Sequence, residues 1–279
     1  KQILAVNAQT GPVFTTHKED QALSAVTKDV CSGTPEYSVT GEGGVLHTLW
    51  VVSDVAKVAR ITASFNRLGV IYIADGHHRS AAAARVAAKC QAANPDHTGD
   101  EPYNTFLIVS FPKPEVQVLD YNRVIKDLNG LSVADLILLL GKSFAVEKST
   151  GPVKPDVIRT FGMYAQRQWY SLTYKGAAPD PSDPTADLDV SVLTTHVLSP
   201  ILDIGDPRTD PRIDFVGGIR GMAGLEQRVD SGDWAVAFSL HPTSVNQLIA
   251  VADAGKVMPP KTTWFEPKLA DGIVSLMLD

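Results

Sequence analysis

The chain has 279 residues, 44% hydrophobic and 20% charged, which is ordinary for a globular protein with room for one large domain or two smaller ones. Its formal net charge of −6 argues against nucleic acid as the main ligand, because that role usually requires a basic face. Two cysteines without regular spacing argue against a disulfide framework and favour a reducing, cytoplasmic setting. No apolar run in the sequence approaches the roughly 20 residues that cross a bilayer, so membranes are not expected as partners.

Residues 1–125 are predicted to mix short strands and helices. The cues are β-branched apolar runs for strands and cap residues followed by helical spacing for helices. They predict, in chain order, strand 13–16, helix 21–30, strand 45–52, a helix from the cap Asp54 to residue 65, a buried strand 68–74, an alanine-rich helix 80–93 and strand 104–111. Glu42, in the turn before the second strand, is either a catalytic carboxylate or an exposed hairpin residue, and the exposed position is the better interpretation.

The pattern changes near residues 122–130, where we predict a domain boundary. The later elements are predicted as helix 133–140 after the cap Ser132, strands 144–147 and 169–174, a Pro- and Asp-rich loop 176–187, helix 190–198, strand 213–216, helix 225–229, strand 234–240 and a helix capped by Thr243 or Ser244 that ends at 252. We therefore expect an α/β fold with mixed α+β sheets, divided into a region 1–125 and a second α/β region 126–279.

The sequence Asp75-Gly76-His77-His78-Arg79 lies between a predicted strand and a predicted helix. Such a turn presents free backbone N–H groups and the positive end of the helix dipole, which together attract anions. Arg79 can hold a phosphate or a carboxylate through two parallel hydrogen bonds, and Gly76 lets the backbone approach a ligand closely. Because ligands of α/β proteins bind at the carboxyl ends of strands, we predict a binding site here.

Two interpretations of this turn are open. In the functional one, Asp75 holds Mg²⁺ beside a phosphate or acts as a base, and His77 and His78 donate to phosphate or transfer protons. In the structural one, Asp75 caps the helix and the histidines are hydrogen-bonded within the fold. Zinc is disfavoured, because adjacent histidines rarely ligate one ion and no spaced ligand set completes a tetrahedral site. The functional interpretation is favoured, since so many functional side chains in five residues are costly for structure alone.

A proline-rich segment near the C-terminus carries a second basic residue, Lys261. Pro259 and Pro260 fix an extended loop that holds Lys261, Trp264 and Phe265 in defined positions. Lys261 either faces an anionic ligand or belongs to a rigid connector whose aromatic residues enter the core. The sequence leaves these two interpretations equal.

Four separated segments resemble signatures of the domain-of-unknown-function 1015 family. They are residues 73–79, 189–193, 240–245 and 257–268. The resemblance spans nearly the whole chain, with the motifs in the family's order. Members are typically longer at the N-terminus, so we expect an N-terminal portion of the family to be absent here.

The Asp-Gly-His-His-Arg turn is similar to the phosphate-binding turn of the ParB/sulfiredoxin-like fold. That fold includes ParB proteins, sulfiredoxin and free serine kinases, which bind nucleotides or nucleotide phosphates. The resemblance implies that region 1–125 is ParB/sulfiredoxin-like and that Gly76, His77, His78 and Arg79 contact phosphate. It also implies that Asp75 lies near a metal or the transferred group. This is an analogy of fold, which supports a site more than it supports a reaction.

The function predicted from these features is that of a nucleotide-dependent phosphotransferase, a kinase acting on a small hydroxylated metabolite. ATP, ADP or another nucleotide would be the cofactor, together with Mg²⁺, and Asp75 or His78 would orient or deprotonate the hydroxyl. The alternative is a non-catalytic, ParB-like nucleotide-binding regulatory module, and a metal hydrolase is a third possibility. The expected partner is a small molecule that carries phosphate.

Overall fold

The computed structural model describes residues 1–41, 44–177 and 182–279. Glu42 and residues 178–181 of the predicted Pro- and Asp-rich loop lie outside the described residues. The helices are α1 (Gln2–Val6), α2 (Gln21–Cys31), α3 (Val55–Leu68), α4 (His77–Ala93), α5 (Val133–Leu140), α6 (Asp189–Leu193), α7 (Gly221–Asp230) and α8 (Val245–Asp253). The strands are β1 (Ala8–Gln9), β2 (Val13–His17), β3 (Tyr37–Thr40), β4 (Leu46–Leu49), β5 (Tyr72–Asp75), β6 (Ile108–Pro112), β7 (Gln117–Leu119), β8 (Tyr121–Ile125), β9 (Phe144–Ser149), β10 (Thr160–Ala165), β11 (Gln168–Tyr174), β12 (Ile213–Gly217), β13 (Val236–Leu240), β14 (Trp264–Glu266) and β15 (Leu276–Met277).

The chain forms two compact units. Unit 1 comprises Lys1–Val116 and Pro267–Asp279, and unit 2 comprises Gln117–Glu266. These units differ from the predicted regions 1–125 and 126–279 at two places. Residues 117–125 belong to unit 2, because β8 is hydrogen-bonded between β12 and β13 in the sheet of that unit. Residues 267–279 belong to unit 1, because β15 pairs with β1.

Unit 1 contains a three-stranded sheet with the order β5-β2-β6. The central strand β2 is buried along its whole length, and it pairs antiparallel with β5 and parallel with β6. Its β-branched and aromatic residues suit a position with neighbours on both sides. The register sets Phe14 opposite Asp75, so the start of β2 lies beside the end of β5. This pairing positions the turn that begins at Asp75.

Unit 2 is built on a six-stranded antiparallel sheet with the order β12-β8-β13-β10-β11-β9. Neighbouring residues of one strand enter different cores, as the period of two along a strand requires. Ile125 of β8 belongs to a core with Leu136 of α5 and Leu193 of α6. Val124, the residue before it, belongs to a second core with Leu225 of α7. The predicted α/β class with mixed sheets is confirmed.

The local predictions are most accurate where a cap residue marks a helix start. Helix α5 has the predicted bounds, and Ser132 and Asp135 form a reciprocal capping box at its start. Asp54 caps α3 by accepting a hydrogen bond from Lys57 N at 2.8 Å. Ser244, rather than Thr243, caps α8. None of the helices in the described parts of the chain is both long and apolar enough to pass through a bilayer.

Three predicted elements differ from the structure. The buried strand predicted at 68–74 is β5, which starts at Tyr72, includes Asp75 and buries only Tyr72. The alanine-rich helix begins at His77 rather than at residue 80, because Gly76 ends the strand and starts the helix within one residue. The helix predicted at 190–198 is interrupted, since α6 passes into a π-helical turn at Thr194–Leu198.

Candidate functional site

The turn between β5 and α4 is closed tightly on Gly76. The backbone of Gly76 is left-handed, with φ 91° and ψ 24°. Its carbonyl oxygen accepts hydrogen bonds from Arg79 N at 2.8 Å and from Ser80 N at 3.0 Å. Asp75 does not cap the helix as the structural interpretation requires, because the N-cap is Gly76 and no side chain caps α4. Instead, Asp75 Oδ1 accepts a hydrogen bond from Gly76 N at 2.8 Å.

The Arg79 side chain folds back over this turn. A β-carbon at Gly76 would lie 2.8 Å from Arg79 Nε and 3.0 Å from Arg79 Nη2, closer than real β-carbons approach other atoms. Glycine is therefore needed at position 76 for two reasons, the positive φ and the close approach of the guanidinium. Arg79 is half-buried, so the guanidinium is held in place while part of it still faces solvent.

Two carboxylates flank the Arg79 guanidinium. Asp75 Oδ2 lies 3.7 Å from Nη2, and Asp271 Oδ1 lies 3.8 Å from Nη1. Both distances exceed the 2.7–3.2 Å of a good hydrogen bond, so these are loose ion pairs. Both carboxylates are also substantially exposed, which weakens their hold on the guanidinium. The arrangement leaves N–H donors of Arg79 available to an incoming anion.

Asp271 reaches the turn from the far end of unit 1. Gly272 N donates a hydrogen bond to Thr10 O at 3.1 Å, which ties the C-terminal segment to the loop before β2. A β-carbon at Gly11 would lie 2.8 Å from Asp271 Oδ1 and 3.4 Å from Arg79 Nη1. Gly11 and Asp271 are not among the site residues predicted from sequence, and no local motif around either of them marks this role.

The two histidines of the turn are exposed neighbours. The ring centroids of His77 and His78 are 4.1 Å apart, with an interplanar angle of 46°. Within residues 1–41, 44–177 and 182–279, no three His, Cys, Asp or Glu side chains form a group that could hold a metal ion. A protein-only metal cage is therefore not formed by the described residues. Carboxylates such as Asp75 are hard oxygen ligands of the kind that supplement phosphate oxygens and water around Mg²⁺.

The predicted site residues divide between the two units. Asp75, Gly76, His77, His78 and Arg79 come together in one turn of unit 1. Lys261 belongs to unit 2, where its backbone is left-handed, with φ 54°, and its ammonium nitrogen lies 5.7 Å from the centroid of the Tyr121 ring. Its carbonyl oxygen accepts a hydrogen bond from Arg123 Nη2 at 3.0 Å. Lys261 thus has well-defined surroundings of its own.

Residues 1–191 match the model of a family described as "Protein of unknown function (DUF1015)". The match covers more than half of the chain. This chain belongs to the DUF1015 family. The resemblance inferred from the separated motifs is thereby confirmed. The analogy between the Asp75–Arg79 turn and the ParB/sulfiredoxin-like fold is not tested by this match and stays a prediction. None of the curated proteins matches the chain.

Several solved structures are distantly similar to this DUF1015 protein. A conserved hypothetical protein from Pyrococcus furiosus has 11% sequence identity and a TM-score of 0.36, over 97% of this chain and 82% of that one. Free serine kinase in complex with AMP has 13% identity and a TM-score of 0.36, over 92% and 89%. SbnI with C-terminal truncation from Staphylococcus aureus has 9% identity and a TM-score of 0.38, over 98% and 88%. Similarity at this level assigns neither a ligand nor an activity to the chain.

Proposed function

We propose that the turn from Asp75 to Arg79 binds the phosphate groups of a nucleotide, and that this DUF1015 protein transfers a phosphoryl group to a small hydroxylated metabolite. One observation carries the proposal: the Arg79 guanidinium lies over Gly76 at the start of α4, with its two carboxylate neighbours at 3.7 and 3.8 Å. A phosphate can displace such loosely paired carboxylates, because its hydrogen bonds to arginine are shorter and form two at a time.

The start of α4 supports the same ligand. The first N–H groups of a helix have no partner within it, and its dipole favours negative charge at that end. A phosphate held by Arg79 would also meet the backbone N–H groups of His77 and His78, with Gly76 allowing the approach. The exposed rings of His77 and His78 are additional donors to phosphate oxygens when they carry a proton on the facing nitrogen.

A divalent cation fits this arrangement as a partner of the phosphates. Asp75 and Asp271 offer exposed carboxylate oxygens beside Arg79. Mg²⁺ usually binds through one or two carboxylates, with waters and substrate phosphates completing its octahedron, so the absence of a three-ligand group in the described residues does not conflict with it. When bound, Mg²⁺ would neutralise negative charge on the phosphates.

The proposed reaction moves one phosphoryl group. The acceptor hydroxyl oxygen forms a bond to the terminal phosphorus, the bond from that phosphorus to the bridging oxygen breaks, and the shortened nucleotide leaves with the electron pair. The hydroxyl proton passes to Asp75 or to His78, the two proton acceptors of the turn. Arg79 stabilises the charge on the transferred group. Lys261 is proposed as a further contact of the nucleotide.

Calorimetric titration of ATP, ADP and CTP with Mg²⁺ tests the proposal. We expect wild-type protein to bind at least one nucleotide saturably and Arg79→Ala to lose that binding. Arg85→Ala is the matched control, because Arg85 is an exposed arginine of the same helix. Absence of binding by the wild type, or equal binding by Arg79→Ala, would contradict the proposal.

Turnover separates catalysis from simple binding. Incubation with a bound nucleotide and a set of hydroxylated amino acids and sugars should release the shortened nucleotide and a phosphorylated acceptor in equal amounts. Binding that leaves every nucleotide intact would reject the phosphotransferase and assign the turn to a regulatory module.

A further inference from the structure

Unit 2 contains a cavity of about 250 Å³ that the nucleotide proposal does not use. Much of its lining is apolar and includes Val190, Leu198, Ile213 and Phe215. A cavity of this size has room for about eight water-sized groups, taking the volume of one water in the liquid. It therefore suits a small organic molecule rather than a nucleotide.

One charged side chain lines this apolar cavity, that of Arg123 on β8. Arg123 is 2% exposed, and its guanidinium donates to the carbonyl oxygens of Tyr121 and Lys261. The guanidinium carbon also lies 5.5 Å from the centroid of the Phe215 ring, within the range of a cation–π interaction. A guanidinium carries five N–H donors, and these two carbonyls account for two of them.

The charge of Arg123 has no carboxylate counterpart in the described parts of the chain. No Asp or Glu among residues 1–41, 44–177 and 182–279 forms an ion pair with it. Burial lowers the pKa of Arg123 to about 9, which still leaves it protonated at neutral pH. Buried charges in proteins are normally paired, because desolvation of a lone ion is costly. A buried cation at the wall of a cavity is therefore a position for an anionic ligand.

The backbone on two sides of the cavity is irregular. Thr194 and Leu198, which line it, belong to the π-helical turn, a rare conformation that recurs at functional sites. Lys261, whose carbonyl oxygen holds Arg123, has the left-handed φ of 54° that non-glycine residues seldom adopt. Such strain clusters at ligand sites. These features are independent of the charge of Arg123 and indicate the same place.

We infer that this cavity binds a small aliphatic monocarboxylate, with the carboxylate on Arg123 and the apolar body against Val190, Leu198 and Ile213. A single buried guanidinium matches the single charge and planar fork of a carboxylate. A phosphate, with up to two charges, would leave charge unpaired against the apolar walls. The inference concerns unit 2 alone and does not rest on the nucleotide proposal.

Isovalerate and its neutral analogue isovaleramide test this inference directly. Calorimetric titration into the full chain at neutral pH should show saturable binding of isovalerate and at least roughly tenfold weaker binding of isovaleramide, because the amide lacks the charge. Equal affinity for the two compounds, or no binding of isovalerate, would overturn the inference. Displacement of isovalerate by millimolar inorganic phosphate would assign the site to phosphate and overturn it as well.

Variants distinguish the cavity from general loss of structure. Arg123→Lys keeps the charge but loses the planar fork, and we expect at least roughly tenfold weaker binding of isovalerate. Thr195→Phe fills the cavity from an exposed lining position and should abolish binding while the far-ultraviolet circular dichroism stays unchanged. Arg167→Gln removes an arginine of unit 2 that is 81% exposed and should leave the affinity unchanged. Normal binding by folded Thr195→Phe, or equal loss in Arg167→Gln, would overturn the inference.

Discussion

The Arg79 guanidinium lies directly over Gly76, with Nε 2.8 Å from the point where a β-carbon would be attached. This contact couples the conformation of the turn to the position of the group proposed to bind phosphate. Any side chain at position 76 must either displace Arg79 or distort the turn. The relationship therefore allows the site to be disturbed without removing any of its charges.

Gly76→Ala tests this coupling. Alanine at φ 91° should lower the free energy of unfolding by about 1–2 kcal/mol, and its β-carbon should push Arg79 away and abolish nucleotide binding. Gly69→Ala is the matched control, because Gly69 also has a positive φ, 71°, and a β-carbon there would have no atom within 4 Å. It should lose similar stability in urea unfolding and bind nucleotide normally. Wild-type affinity in folded Gly76→Ala would show that the contact with Arg79 has no role in binding.

Asp271→Asn should strengthen the binding of nucleotide in the absence of Mg²⁺. The substitution removes a negative charge 3.8 Å from Arg79 that competes with the phosphate. Because Asp271 is exposed, the gain should be modest, roughly two- to fivefold in Kd. Titrations of ADP in EDTA measure this, with Asp100→Asn, an exposed aspartate of the same unit, as the control. Weaker binding by Asp271→Asn without metal would mean that Asp271 supports the anion in some other way.

Asp189 should make the stability of the protein fall as pH rises from about 4 to 6. Asp189 is buried, its Oδ1 accepts from Arg159 N at 2.8 Å, and its Oδ2 has no hydrogen-bond partner among the described residues. Burial raises the pKa of Asp189 from 3.8 to about 6, with the nearby charge of Asp187 adding to the effect. Between these values the folded chain holds a proton that the unfolded chain has lost, so folding is favoured at the lower pH.

The expected loss across this window is about 3 kcal/mol in the free energy of unfolding. Asp189→Asn, which stays neutral and keeps the acceptor for Arg159 N, should flatten the pH profile between 4 and 6. Asp206→Asn serves as a contrast, because a hydrogen bond from Arg208 lowers the pKa of Asp206 to about 2, so its effect should fall below pH 4. Urea unfolding across this pH range measures both. An unchanged slope in Asp189→Asn would assign the pH dependence to other groups.

Local chemistry explains which parts of the fold are predictable from sequence. Helix α5 has its predicted bounds because Ser132 and Asp135 fix its start through their own hydrogen bonds. The cap of α3 by Asp54 and the turn at Asp75 are equally local. The π-helical turn at Thr194–Leu198 is not predicted, because its sequence has the apolar spacing of an ordinary helix.

Contacts between distant segments explain the features that the sequence does not reveal. Asp271 joins the candidate site only because β15 pairs with β1 and Gly272 bonds to Thr10, and neither pairing has a sequence signature. The burial of Arg123 likewise depends on its place in the six-stranded sheet and on the carbonyl oxygen of Lys261. Strand order is set by packing over long sequence separations, so periodicity along one segment does not reveal it.

The most direct test of the central claim compares ADP with adenosine in wild type and in Arg79→Ala. If Arg79 holds the phosphate groups, Arg79→Ala should weaken ADP binding by roughly 10- to 100-fold, which corresponds to loss of a charged hydrogen bond. The affinity for adenosine, which has no phosphate, should stay the same in both proteins. An equal loss of affinity for ADP and adenosine, or no loss for ADP, would contradict the account.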